Sequence, residues 1–141
     1  MDLEDKRKGL EIPAGTWYNR SVGEILLIAA DWQLRALVRA QLLEEGLEVR
    51  AWPSLEPALA DLIRSGRQPR LSIVELQGSE GEGRLLADLW RLAGGAPLIL
   101  CSGAIGRATL RQEGLPPVEA VLLRPFRVRD LVKQVRKVVR P

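Results

Sequence analysis

Histidine is missing from the 141 residues altogether, and cysteine occurs once, as Cys101. The chain is therefore without the commonest general base and metal ligand, and it forms no internal disulfide. Set in an apolar run with no histidine to activate it, Cys101 reads as a small core residue rather than a nucleophile. No apolar run approaches the ~20 residues that span a bilayer, and no leader of basic then apolar residues opens the chain. Internal repeats and low-complexity segments are also lacking. The expectation is a soluble protein of a reducing cytoplasm, with no membrane partner.

Hydrophobic residues make up 46% of the chain and charged residues 28%, a globular balance at the length of one ordinary domain. The formal net charge of +3 is too small to name a partner. Residues 1–22 follow neither a strand nor a helix period and read as a tail ahead of a domain over 23–141. Within that tail, Trp17 and Tyr18 are expected to pack on the domain or on a second protomer.

From Glu24 the pattern is regular. EILLIAA is a short apolar run of the kind covered on both faces, and a helix follows with Asp31 as N-cap, Leu34, Leu37, Val38 and Leu42 near one face, and Gly46 ending it. LEVRAW (47–52) is a second strand. Ser54 then caps a helix with Pro57 in its first turn and Leu55, Leu59, Leu62 and Ile63 in register up to Gly66. LSIVEL (71–76) is a third strand, followed by the loop GSEGEG and a helix carrying Leu85, Leu86, Leu89, Trp90 and Ala93 before Gly94-Gly95. PLILCS (97–102) is a fourth strand, 104–113 a weaker helix interrupted by Gly106, and EAVLL (119–123) a fifth strand. The last helix holds Val128, Leu131, Val132, Val135, Val138 and Val139 on one stripe. Strands alternating with helices predict right-handed crossovers and a doubly wound α/β domain around a parallel sheet. Ligands in such folds sit at strand C-termini, here Ala29, Ala30 and Asp31, Glu75, Ser102 and Arg124.

Those ends carry a resemblance. ILLIAAD, the VEL of the third strand, the LCS of the fourth and LLRPF after the fifth resemble the receiver domain of bacterial response regulators, over about residues 24–140. The resemblance implies a five-stranded, flavodoxin-like (CheY-like) (βα)5 fold with strand order 2-1-3-4-5, and a role in two-component phosphorelay signalling. It places Glu75 at the phospho-acceptor aspartate, Ala29 and Ala30 at the Mg²⁺-binding acid pair, Ser102 at the phosphate-contacting hydroxyl and Arg124 at the lysine. It further implies a cis bond between Arg124 and Pro125, and it puts Val121 where the family keeps a switch aromatic.

The departures are chemical. Mg²⁺ wants hard oxygen ligands in tight octahedral geometry, and two methyl groups at Ala29 and Ala30 leave Glu75 as main anchor, with Asp31 one residue past the usual pair. No metal and no cofactor are expected. Without the metal most of phosphoryl-transfer catalysis is gone, and Glu75, one methylene longer than Asp, would misplace the nucleophile by about an ångström. Glu75 reads instead as a fixed partner of Arg124, whose planar fork suits a carboxylate. The plainer alternative is a satisfied strand-end carboxylate with no role.

The expectation is thus an atypical, non-enzymatic receiver acting by protein interaction, independent of phosphorylation. Its partner is another signalling protein, or a second copy, docked on the fourth helix, fifth strand and last helix. One rival is a receiver phosphorylated by an unusual route at Glu75 or Ser102. A second is a flavodoxin-like or cobalamin small-molecule binder, against which stand the loop AADWQL, lacking a Ser/Thr/Gly set for an FMN phosphate, and the absence of a histidine for cobalt. GSEGEG reads as a mobile surface loop, since Glu80 and Glu82 would repel a phosphate. Arg127, Arg129, Lys133, Arg136, Lys137 and Arg140 read as a solvated face of the last helix rather than a nucleic-acid surface.

Overall fold

A computed structural model describes residues 23–139. The expectations for residues 1–22, including Trp17 and Tyr18, and for Arg140 lie outside the described residues.

Five parallel strands, β1 (Ile25–Ile28), β2 (Val49–Trp52), β3 (Leu71–Leu76), β4 (Leu98–Ser102) and β5 (Ala120–Leu123), form one sheet in the order β2-β1-β3-β4-β5. Five helices alternate with them: α1 (Trp32–Glu44), α2 (Leu55–Ser65), α3 (Glu82–Leu92), α4 (Arg107–Leu110) and α5 (Val128–Val139). This is the flavodoxin-like, CheY-like α/β fold with the strand order that the resemblance implied.

The period of two along each strand sorts the core into two layers. Leu26, Ile28, Val74, Leu76, Leu98 and Leu100 meet Leu55, Ala58, Leu59 and Leu62 of α2 and Leu86 and Leu89 of α3. Ile25, Leu27, Leu71, Ile73, Ile99 and Cys101 meet Val38 and Leu42 of α1 and Leu131, Val132 and Val135 of α5. Because the three central strands are covered on both faces, their residues are apolar almost without interruption, the pattern that identified them.

Helix ends follow local chemistry. Asp31 caps α1 by accepting from the N–H groups of Gln33 (3.0 Å) and Leu34 (3.2 Å). Gly46 and Gly66 turn the chain with φ of 82° and 68°, conformations that glycine takes without a Cβ clash. Ser54 stands at the N-cap of α2 with extended backbone, but its hydroxyl makes no cap bond.

Three helix expectations are corrected. The segment 104–113 contains only one turn of helix, Arg107–Leu110. Leu37 and Ile63, assigned to the apolar faces of α1 and α2, are both exposed. Each lies on the flank of its apolar stripe, outside the arc of the helix that the sheet covers. Arg136 is not merely solvated: its guanidinium grips the Glu45 carboxylate with two bonds of 2.7 Å, joining α5 to the end of α1. No helix among the described residues is long and apolar enough to cross a membrane.

Candidate functional site

Parallel register brings the strand C-termini to one edge. Glu75 lies beside Cys101, Leu76 beside Ser102, and Ser102 beside Leu123. Arg124 extends β5 with its N–H on the carbonyl of Ser102 at 2.8 Å, and the Arg124–Pro125 peptide is cis.

At this edge the Arg124 guanidinium pairs with Glu75 Oε2 and stands 3.5 Å from Asp31 Oδ2. The other Glu75 oxygen accepts from the Asp31 N–H at 3.3 Å and from the Gln77 side chain at 3.4 Å. Asp31 carries two roles, since its Oδ1 is the α1 cap. The bond from Leu34 N–H leads the effects that hold its carboxyl below the usual carboxylate range, and Gln33 and Arg124 act in the same direction. Beneath the pair, burial and then the Glu75 charge push the Cys101 thiol up to about 12, which leaves it an inert core residue.

Of the residues singled out from sequence, the structure brings Asp31, Glu75 and Arg124 together. Ala29 is buried beside them and Ala30 faces solvent. Ser102 does not join: it is fully buried and its hydroxyl donates to the Gly103 carbonyl at 2.8 Å. Arg124 borders two clefts. One, of about 350 Å³, is lined by Glu75, Gln77, Gly103 and Ile105 among others, and one, of about 390 Å³, by Leu34, Pro125 and Phe126.

Two further residues shape this end of the sheet. Arg35 donates to the Ala29 carbonyl at 2.7 Å, bringing a second cation to the end of β1. Helical side chains tilt toward the N-terminus, so an arginine one turn after the cap was the available signal. Glu82, expected as a repelling charge on a mobile loop, is instead 2% exposed and opens α3. Its carboxylate accepts from Gln77 N–H (2.7 Å), Gly78 N–H (2.8 Å) and Thr109 Oγ1 (2.6 Å). An acid in the loop just ahead of the predicted helix, where N–H groups need an acceptor, is the signal.

The donor set does not suit Mg²⁺. Both Glu75 oxygens and both Asp31 oxygens face nitrogen donors or the guanidinium, the Ala29 carbonyl is taken by Arg35, and a cation would meet Arg124. Among the described residues no group of three histidine, cysteine or acidic side chains could hold a metal ion.

No protein-family model and no curated protein matches the sequence. Solved structures do match the fold. A CheY-like response regulator receiver domain protein from Methanospirillum hungatei superposes with a TM-score of 0.68 at 19% identity, over 84% of this chain and 94% of that one. The receiver domain of NtrX from Brucella abortus gives 0.65 at 23%, over 82% and 98%. A response regulator from Thermotoga maritima gives 0.69 at 15%, over 85% and 99%. At these identities the likeness establishes a shared receiver-domain fold.

Proposed function

We propose that this chain is a receiver-type signalling domain whose pocket has been taken out of phosphate control, and that it acts by binding another protein without catalysis of its own. The observation that carries this is the Arg124 guanidinium held by Glu75 and Asp31 at the place where the resemblance puts the phospho-acceptor and metal. Charges that a receiver would balance with Mg²⁺ and a phosphoryl group are here balanced internally, with Arg35 in support. A nearly buried carboxylate needs such a partner, so the arrangement is self-satisfying and requires no cofactor. Phosphorylation at Ser102 is opposed by its complete burial, and at Glu75 by the guanidinium on its oxygen.

The partner surface we propose lies on α4, β5 and α5. Ile105, Val121 and Leu123 are 78%, 44% and 45% exposed, an apolar strip on the side of β5 that one-turn α4 leaves open. Exposed Arg107 and Arg111 lie in and just after α4, and exposed Arg127 lies just before α5. Exposed apolar side chains with arginines on the two neighbouring elements favour a cytoplasmic signalling protein that presents an apolar anchor among acidic side chains, rather than a nucleic acid or a membrane.

The test is intact mass after incubation with acetyl phosphate and Mg²⁺. The native chain is expected to gain nothing, whereas a variant carrying Ala29→Asp, Ala30→Asp and Glu75→Asp gains one phosphoryl group. A native chain that gains the mass overturns the reading.

A further inference from the structure

Receiver domains of the kind resembled here move information from pocket to surface through a hydroxyl on the fourth strand and an aromatic on the fifth. In this chain the hydroxyl of Ser102 donates to the Gly103 carbonyl, and Val121 stands in the place of the aromatic. A different set of contacts spans the same interval. The Gln77 side chain donates to the carbonyl oxygen of Glu75 (3.3 Å) and to its carboxylate (3.4 Å). The backbone N–H groups of Gln77 and Gly78 end on the Glu82 carboxylate, which also receives the hydroxyl of fully buried Thr109 in α4.

Packing reinforces the chain of bonds. Gly78, at φ 73°, lies so close to Ile105 that a Cβ would collide with that residue's carbonyl oxygen. At Gly106 a Cβ would come within 2.8 Å of Leu76 Cβ and of the Leu76 carbonyl oxygen. The loop after β3 and the loop into α4 thus interlock through two glycines and are latched by one buried carboxylate.

We infer that Glu82 and Thr109 form a latch that couples the Glu75–Arg124 pair to α4 and Ile105, so that the pocket and the docking strip change conformation together. Each part has a physical basis. Charge-assisted hydrogen bonds in a buried setting are about twice as strong as neutral ones, and removing one donor leaves the carboxylate short of a partner. Tight glycine contacts transmit displacement, because a close-packed boundary does not yield by small amounts. A protein that grips Ile105 would thereby bear on Gln77 and Glu75, and loss of the Arg124 pair would loosen α4. The inference deepens the docking reading above and rests on it for the use of the coupling, not for its existence.

Amide hydrogen exchange tests it on the full chain. Thr109→Val removes the α4 end of the latch with little change of shape, and Glu75→Ala removes the pocket end. In both variants exchange is expected to quicken about tenfold in residues 76–81 and in 103–111 alike, with 25–28 and 38–44 unchanged. Thr109→Ser, which keeps the hydroxyl, is expected to behave as the native chain. Changes confined in each variant to the mutated segment overturn the coupling. If Thr109→Val fails to fold, the Glu75→Ala arm decides alone through 103–111. Because exchange uses neither a phosphoryl donor nor a partner, its failure is distinct from failure of the pocket reading, which the mass measurement addresses.

Discussion

Asp31 is a single side chain with two structural roles, and the roles can be separated. Its Oδ1 caps α1, and its Oδ2 faces Arg124. Asp31→Ala is expected to lower stability at neutral pH through loss of the N-cap, read as a lower midpoint in urea unfolding. The acid dependence has a definite sign. Its pKa is depressed in the folded state, so the stabilisation is complete above the unfolded carboxylate range and is lost as pH falls through the lower folded value. Asp31→Asn keeps a cap acceptor but cannot titrate. It is therefore expected to leave neutral stability almost unchanged and to flatten the acid limb of the stability curve; an unaltered limb would show that Asp31 does not contribute to it.

Among elements, α4 departs most from its sequence pattern. Its helix covers four residues, beginning after Gly106, where Leu76 of β3 and Ser102 of β4 press against the backbone. A methyl group at Gly106 would lie 2.7 Å from Ser102 Oγ and 2.8 Å from the Leu76 carbonyl. Gly106→Ala is thus expected to destabilise by about 1–3 kcal/mol despite the higher helix propensity of alanine, because overpacking against backbone outweighs propensity. Thermal unfolding checks this: a stabilised variant would mean that the loop yields freely. A glycine that lowers helix propensity in the sequence thus permits close packing of the loop into α4 on the ends of β3 and β4.

For the molecule as a whole, coverage of the sheet is uneven. Helices α1 and α5 close one face, while α2 and α3 close the other only as far as β4, leaving the outer side of β5 bare. Val121 and Leu123 contribute little to the core for that reason, and serine at both, together with Ile105→Ser, is expected to change unfolding free energy by no more than about 0.5 kcal/mol per site. Sedimentation velocity is expected to give a monomer for both native and substituted chains. A native dimer that these substitutions dissolve would assign the strip to a second copy and overturn the proposed acidic partner.

The alternation of strands and helices, the two-sided burial of β1, β3 and β4, the cap at Asp31 and the glycine ends at Gly46 and Gly66 are written in the residues themselves. All are local in origin: apolar runs, a period of 3.6 and the φ freedom of glycine act within a few residues. The meeting of Glu75 with Arg124 was legible as well, because parallel topology carries strand ends to one edge and a nearly buried carboxylate calls for a cation. The remaining contacts depend on which distant segments folding brings together. Glu82 looked like loop charge until folding set Thr109, 27 residues away, against it, and Ser102 looked available until its hydroxyl turned to Gly103. Leu37 and Ile63 fit a helical period yet face solvent, since periodicity names the apolar side of a helix but not how far its neighbour extends. Partners distant in the chain are chosen by packing geometry, which no local pattern encodes.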